Sequence, residues 1–238
     1  SAKSFMKDQI SGITFGVRFN RSFRIPEISG EMVDEILYGT DSPFSAEFFP
    51  KIDRNSSEKT LYSPNADGNA ERYLRINTDD IILAWKVNDG YEEAFRWLKD
   101  DVVKYYKDKL FLKFGIKNIQ RAGIVYTHTI PDTSKLQKTV NDLTSTKVSD
   151  ATGINLSFAK KGPAMEALYR SGVSDYKNTI YNLKESNGSG TASLDYQYYY
   201  NPTIEDLREC SIEKVLEDSQ NFLESNFYTW LKDYEDRK

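Results

Sequence analysis

The chain has 238 residues, enough for one large domain or two of about 120, and either size buries a real core without disulfide or metal support. A single cysteine, Cys210, excludes an intramolecular disulfide and a thiolate-rich metal site, and no segment reaches the roughly 20 apolar residues of a membrane-spanning helix. With 32 basic and 36 acidic residues the net charge is -4, which argues against duplex nucleic acid held by the overall field.

The run Ile13-Thr14-Phe15-Gly16-Val17-Arg18-Phe19 predicts the first strand, with Ile13, Phe15, Val17 and Phe19 on one face and Thr14, Gly16 and Arg18 on the other. A short helix is expected from about Pro26, its stripe Ile28, Met32, Val33 and Ile36 ending at Gly39. Pro43 and Pro50 bracket Phe44 to Phe49, which reads as an irregular or edge strand. Residues 59–62, 72–76 and 81–87 follow as strands, the last two joined in a hairpin by Asn77-Thr78-Asp79-Asp80. After Gly90 the spacing becomes helical, and Tyr91, Ala94, Phe95, Leu98, Val102, Tyr105 and Leu112 predict a long helix that stops at Gly115.

A second cycle opens with a strand over residues 121–130, a short helix over 134–143 and a strand over 153–158. Gly162-Pro163 interrupts the pattern, and residues 164–170 are read as either a helical turn or a strand. Residues 176–183 and 191–200 pair through the flexible turn Asn187-Gly188-Ser189-Gly190. Ser211 stands at the N-cap position of a final helix marked by Ile212, Val215, Leu216, Ser219, Phe222, Leu223, Asn226 and Trp230. The expected fold is therefore α+β in two similar halves, residues 1–116 and 117–238. Each half is an antiparallel sheet packed against one long helix and one short helix, and the lack of a Gly/Pro-rich linker leaves the halves free to share a continuous sheet.

This order of elements resembles the duplicated topology of the TATA-box-binding-protein fold. The resemblance implies a fold and carries no function: that family's DNA-binding sheet implies a basic face with apolar wedges, whereas Arg18, Arg72 and Arg75 are few and scattered here. The opening strand, the aromatic strand before a long helix and the stretch Phe222-Leu223-Glu224-Ser225-Asn226-Phe227-Tyr228-Thr229-Trp230-Leu231 are similar to an uncharacterised, sporadically distributed bacterial family of about this length. Asp218-Ser219-Gln220-Asn221 stands where that family has a histidine-rich segment, and the resemblance implies no activity, cofactor or catalytic residue.

The chemistry-bearing residues are sparse. His128, the sole histidine, falls on the apolar set Ala122, Ile124, Tyr126, His128 and Ile130, so a packed, hydrogen-bonded histidine is expected rather than a catalytic base. No nucleophile elbow, phosphate loop or dinucleotide fingerprint accompanies it. Asp79-Asp80 and Asp100-Asp101 are the acidic pairs open to a magnesium ion, but pairs in turns and on helix surfaces are more often solvated. A reducing, cytoplasmic setting follows from the cysteine count and from residues 1–9, which lack the apolar stretch of a secretory leader.

Aromatics are the one compositional departure, with 16 tyrosines, 13 phenylalanines and 3 tryptophans. Tyr196, Tyr198, Tyr199 and Tyr200 are the candidate contact residues, with Tyr105, Tyr106, Phe227, Tyr228 and Trp230 as helical contributors. Leu194, Tyr196, Tyr198 and Tyr200 share one face of their strand, opposite Asp195, Gln197 and Tyr199. The functional reading is a non-catalytic binding module without cofactor, facing a protein partner or a second copy of itself. The alternative is an enzyme, or a small-ligand or single-stranded nucleic-acid binder, using a carboxylate or aromatic pocket.

Overall fold

Alternating large apolar and small or polar residues make β1 (Ile10–Phe19) a strand with two unlike faces, and its position decides the rest of the architecture. The computed structural model describes residues 6–55, 58–68, 70–87, 90–131, 133–143, 153–164, 170–186 and 188–236. Within them β1 pairs antiparallel with β5 (Asp80–Lys86) on one side and with β6 (Ile119–Ile130) on the other. Beyond β5 lie β4 (Ala70–Ile76), β3 (Lys59–Pro64) and the edge strand β2 (Lys51–Arg54). Beyond β6 lie β9 (Ser189–Ile204), β8 (Tyr176–Ser186) and β7 (Gly153–Pro163). One nine-stranded antiparallel sheet thus runs through both halves of the sequence, and the fold class is α+β.

Among the described residues the longer helices against this sheet are α1 (Ile25–Tyr38), α2 (residues 91–113), α3 (Ser134–Leu143) and α4 (residues 212–235). Pro26 in the first turn of α1 presets the helical φ where no backbone donor is needed. Gly39 closes that helix because its N–H donates to the Glu35 carbonyl at 2.8 Å, an approach at which a Cβ would stand only 2.4 Å from the same oxygen. The long helices α2 and α4 begin and end where the 3.6-residue spacing places them. Ser211 precedes α4 but, at φ 50°, turns its hydroxyl away from any capping bond.

Residues 44–49 do not form the expected strand. The Oγ atoms of Ser42 and Ser45 accept hydrogen bonds from the backbone N–H of Phe44 (3.2 Å) and of Phe48 (3.0 Å), and the Ser45 carbonyl accepts from Phe49 (2.9 Å). These local bonds use the donors a ladder would need. Phe44 and Phe49 instead enter the core, where Phe44 meets the Trp97 ring edge-on at 5.7 Å. Residues 165–169, from the segment read as either turn or strand, lie outside the described residues.

The core sits between the sheet and the helices. Phe15 stacks on Tyr106 of α2 at 6.0 Å, Phe19 meets Phe111 edge-on, and Tyr196 and Tyr181 meet Phe222 and Phe227 of α4. Each fully buried ring contributes about 1.5–3 kcal/mol through removal of its apolar area from water. The opposite face of the sheet is different. Thr14, Gly16, Arg18, Tyr62, Tyr73, Arg75, Ile82, Arg121, Val125, Asp195, Gln197, Asn178 and Tyr176 point that way and are all partly accessible, and no helix among the described residues covers them.

Candidate functional site on the open sheet face

The four β9 tyrosines separate by register. Tyr196, Tyr198 and Tyr200 are buried beneath α4, and only Tyr199 faces the open side of the sheet. Each buried hydroxyl finds a partner inside the fold, which is what allows burial: Tyr196 donates to Asp218, Tyr198 to Asp175 at 2.7 Å and Tyr200 to the Cys210 carbonyl at 2.8 Å. The set expected from sequence as one contact surface is therefore mostly core. The helical contributors Tyr105, Tyr106, Phe227 and Tyr228 are buried as well, and Trp230 is half-buried against Phe158 and Tyr181.

The titratable groups that sequence analysis singled out are held in structural roles. His128 is fully buried between Ala192 and Tyr228, and burial pushes its pKa down to about 4, so the ring is neutral. Cys210 is buried with its thiol directed at the Asp206 carbonyl, and burial raises its pKa. Asp80 accepts from Asn77 at 3.1 Å and lies 4.0 Å from Arg18, while Asp79 lies 3.9 Å from Arg21. Asp100 and Asp101 are exposed along α2 beside a depression of about 600 Å³. No group of three histidine, cysteine or carboxylate side chains converges to hold a metal among the described residues.

Polar side chains do converge on the open face of β6, β8 and β9. Gln197 donates to Asp195 at 3.1 Å and accepts from Tyr199 (2.9 Å) and Asn178 (3.3 Å), and Arg121 donates to the Tyr199 hydroxyl at 3.2 Å. The Tyr199 ring stacks on Tyr176 with centroids 4.6 Å apart, and the Lys161 ammonium lies 4.3 Å above Tyr176. Burial raises the pKa of Asp195, partly offset by Gln197 and the charge of Arg121. These residues are adjacent through cross-strand register alone: Arg121 faces Tyr199, Gly123 faces Gln197 and Val125 faces Asp195.

The middle of the face is low. Gly16 and Gly123 stand opposite each other on β1 and β6 and, with Thr14, Ile82, Arg121, Val125, Asp195 and Gln197, enclose a depression of about 160 Å³. On the other flank, Tyr62 and Tyr73 are cross-strand neighbours and line, with Thr60, Arg75, Asp53 and Glu58, a shallower hollow of about 530 Å³. The face therefore carries stacked tyrosines, amides and charges of both signs around a floor without side chains. Tyrosine density in one strand does not mark this face; the signal in the sequence is the polar half of the alternation in β1, β6 and β9. In comparisons with known proteins, neither a protein-family model nor a curated protein matches this chain.

Proposed function

We propose that the protein is a non-catalytic binding module that holds a protein partner on the open face of its sheet. The observation that carries this reading is the face itself, a broad polar and aromatic surface that the described residues leave uncovered on a sheet whose other side is closed by helices. Nine strands at a spacing of about 4.8 Å make it about 40 Å wide. Six residues of strand add about 20 Å in the other direction, so the area approaches the roughly 800 Å² that each partner contributes to a standard interface. Tyrosine and arginine, the residues that dominate binding energy at interfaces, stand on it, and the rotamers of Arg121 and Tyr199 are held by hydrogen bonds across and along the strands, which limits the entropy lost on docking. The neutral, enclosed His128 supports the non-catalytic part of the reading, since it sits on the covered face away from this surface.

The reading includes an internal duplication of TATA-box-binding-protein-like topology. Two features support it: β1 and β6 lie side by side at the centre, and the order outward is β5, β4, β3 on one side and β9, β8, β7 on the other. In each half a short helix follows the central strand and a long helix ends the sequence of strands.

A photo-cross-linking amino acid placed at position 73, on the open face, tests the function against one placed at position 38, which is exposed on α1. The expected result is a discrete protein adduct from position 73 alone, whose purified partner binds the wild-type chain and fails to bind Tyr199→Glu. Adducts of equal yield from both positions, or a purified partner indifferent to Tyr199→Glu, would refute the reading.

A further inference from the structure

On the two central strands, Arg18 of β1 and Arg121 of β6 are direct cross-strand partners on the open face. Residues so placed have Cβ atoms about 5 Å apart, and like charges there repel. The neighbouring rows show no need for charge at this position, since Gly16 faces Gly123 and Thr14 faces Val125. The two guanidinium groups are also incompletely matched within the chain. Arg18 approaches Asp80 no closer than 4.0 Å, and its Nε is shielded from solvent without an acceptor among the described residues. Arg121 spends one N–H on the Tyr199 hydroxyl and lies over that ring at 5.6 Å. Farther along the face, the Nε of Arg75 is likewise shielded and unmatched, with Glu58 at 4.0 Å. The Arg18 side chain is otherwise accessible, so its terminal nitrogens, rather than the shielded Nε, are what an acceptor from outside can reach.

We propose that Arg18 and Arg121 form a clamp for a carboxylate of the protein partner, an inference that rests on the open-face reading above. A carboxylate is planar and accepts two parallel N–H bonds from each guanidinium plane, and its charge cancels the repulsion between the arginines. The 160 Å³ depression that Arg121 lines, floored by Gly16 and Gly123, gives an acidic side chain room to reach them. A protein segment carrying one isolated carboxylate fits better than a nucleic-acid strand, because Asp53, Asp80 and Asp195 stand on the same face and would repel a continuous row of anions. A protein segment instead brings N–H donors for Asp195 together with the acid for the arginines.

The test uses the whole chain and a fluorescein-labelled decapeptide of Gly and Ser with one central Glu, followed by anisotropy, with thermal unfolding of each variant measured without peptide. Arg18→Gln and Arg121→Gln are each expected to weaken peptide binding about tenfold while leaving the unfolding midpoint nearly unchanged, because the relieved repulsion offsets the lost attraction of Arg18 for Asp80 and of Arg121 for Asp195. Arg18→Lys, which keeps charge but loses the fork, is expected to fall between, and Arg96→Gln on the exposed side of α2 should change neither quantity. The clamp is overturned if wild type shows no saturable binding, if the glutamine variants bind as wild type does, or if they unfold at lower temperature with affinity intact. An oligothymidine of the same length binding more tightly through the same arginines would also overturn it, in favour of a nucleic-acid partner. A cross-link at position 73 that survives in Arg18→Gln and Arg121→Gln would remove the clamp and leave the open-face reading standing; loss of that cross-link in wild type would remove the reading itself.

Discussion

The Nε2 of His128 accepts a hydrogen bond from the hydroxyl of Tyr228, 2.9 Å away, while its Nδ1–H donates to the carbonyl of Ala192 at 3.0 Å. The carbonyl can only accept, so Nδ1 carries the proton of the neutral ring, and burial opposes the addition of a second one at Nε2. The partner Tyr228 is itself held un-ionised, burial being the main cause.

The consequence is a pH-dependent stability with a definite sign. Burial lowers the His128 pKa from 6.5 to about 4, so between these values the unfolded chain takes up a proton that the folded chain refuses. The stability contribution is whole above about pH 6.5 and is lost as the pH falls toward 4, about 3 kcal/mol in all. Urea unfolding of wild type and His128→Leu across that range should show their stability difference shrinking by about this amount; a constant difference would mean that His128 titrates alike in both states.

Asp175 ties the start of β8 to the end of β9. Its carboxylate accepts from Arg170 (2.7 and 3.2 Å), from the Tyr198 hydroxyl (2.7 Å) and from the Asn201 backbone N–H (2.7 Å). Burial opposes its ionisation, but these bonds together outweigh burial and hold its pKa below the usual carboxylate range. Asp175→Asn is expected to destabilise the fold by about 2–4 kcal/mol at neutral pH, because it leaves Arg170 without its charge partner and mismatches one donor. Tyr198→Phe should cost only about 1 kcal/mol, and chemical denaturation of the two single variants and the double variant should reveal coupling.

The division of the β9 tyrosines between core and open face predicts unequal effects of truncation. Tyr196→Ala and Tyr198→Ala each remove a fully buried ring and should cost about 3–5 kcal/mol. Tyr199→Ala loses the stack on Tyr176 and a part-buried hydroxyl contact, and should cost about 1 kcal/mol. Equal losses for Tyr198→Ala and Tyr199→Ala in guanidinium titrations would contradict this placement.

The two glycines at the floor of the central depression differ in their surroundings. A Cβ on Gly16 would first meet the Ile82 side chain at an ordinary 3.5 Å, whereas one on Gly123 would stand 3.2 Å from the backbone carbonyl of Tyr196. Gly16→Ala is expected to be neutral or stabilising by up to about 1 kcal/mol through the unfolded state, and Gly123→Ala to be destabilising because the β9 backbone cannot give way easily. Calorimetric unfolding midpoints of the two variants should move in opposite directions, or only that of Gly123→Ala should move.

Local periodicity was sufficient for much of the architecture. Alternation in Ile13 to Phe19 and in Ala122 to Ile130 assigned the core face of β1 and β6, and the helical spacing from Tyr91 and from Ile212 marked α2 and α4, since both periods are properties of the chain itself. Local reading failed at Phe44 to Phe49, where apolar composition suggested a strand and the hydroxyls of Ser42 and Ser45 redirected the backbone. It was silent on which face of β9 is open, because alternation groups Tyr196, Tyr198 and Tyr200 but only the return of α4 over the sheet covers them. The meeting of Arg18 with Arg121, and of Arg121 with Tyr199, comes from strand register between segments far apart in sequence, a consequence of tertiary pairing that no window along the chain contains.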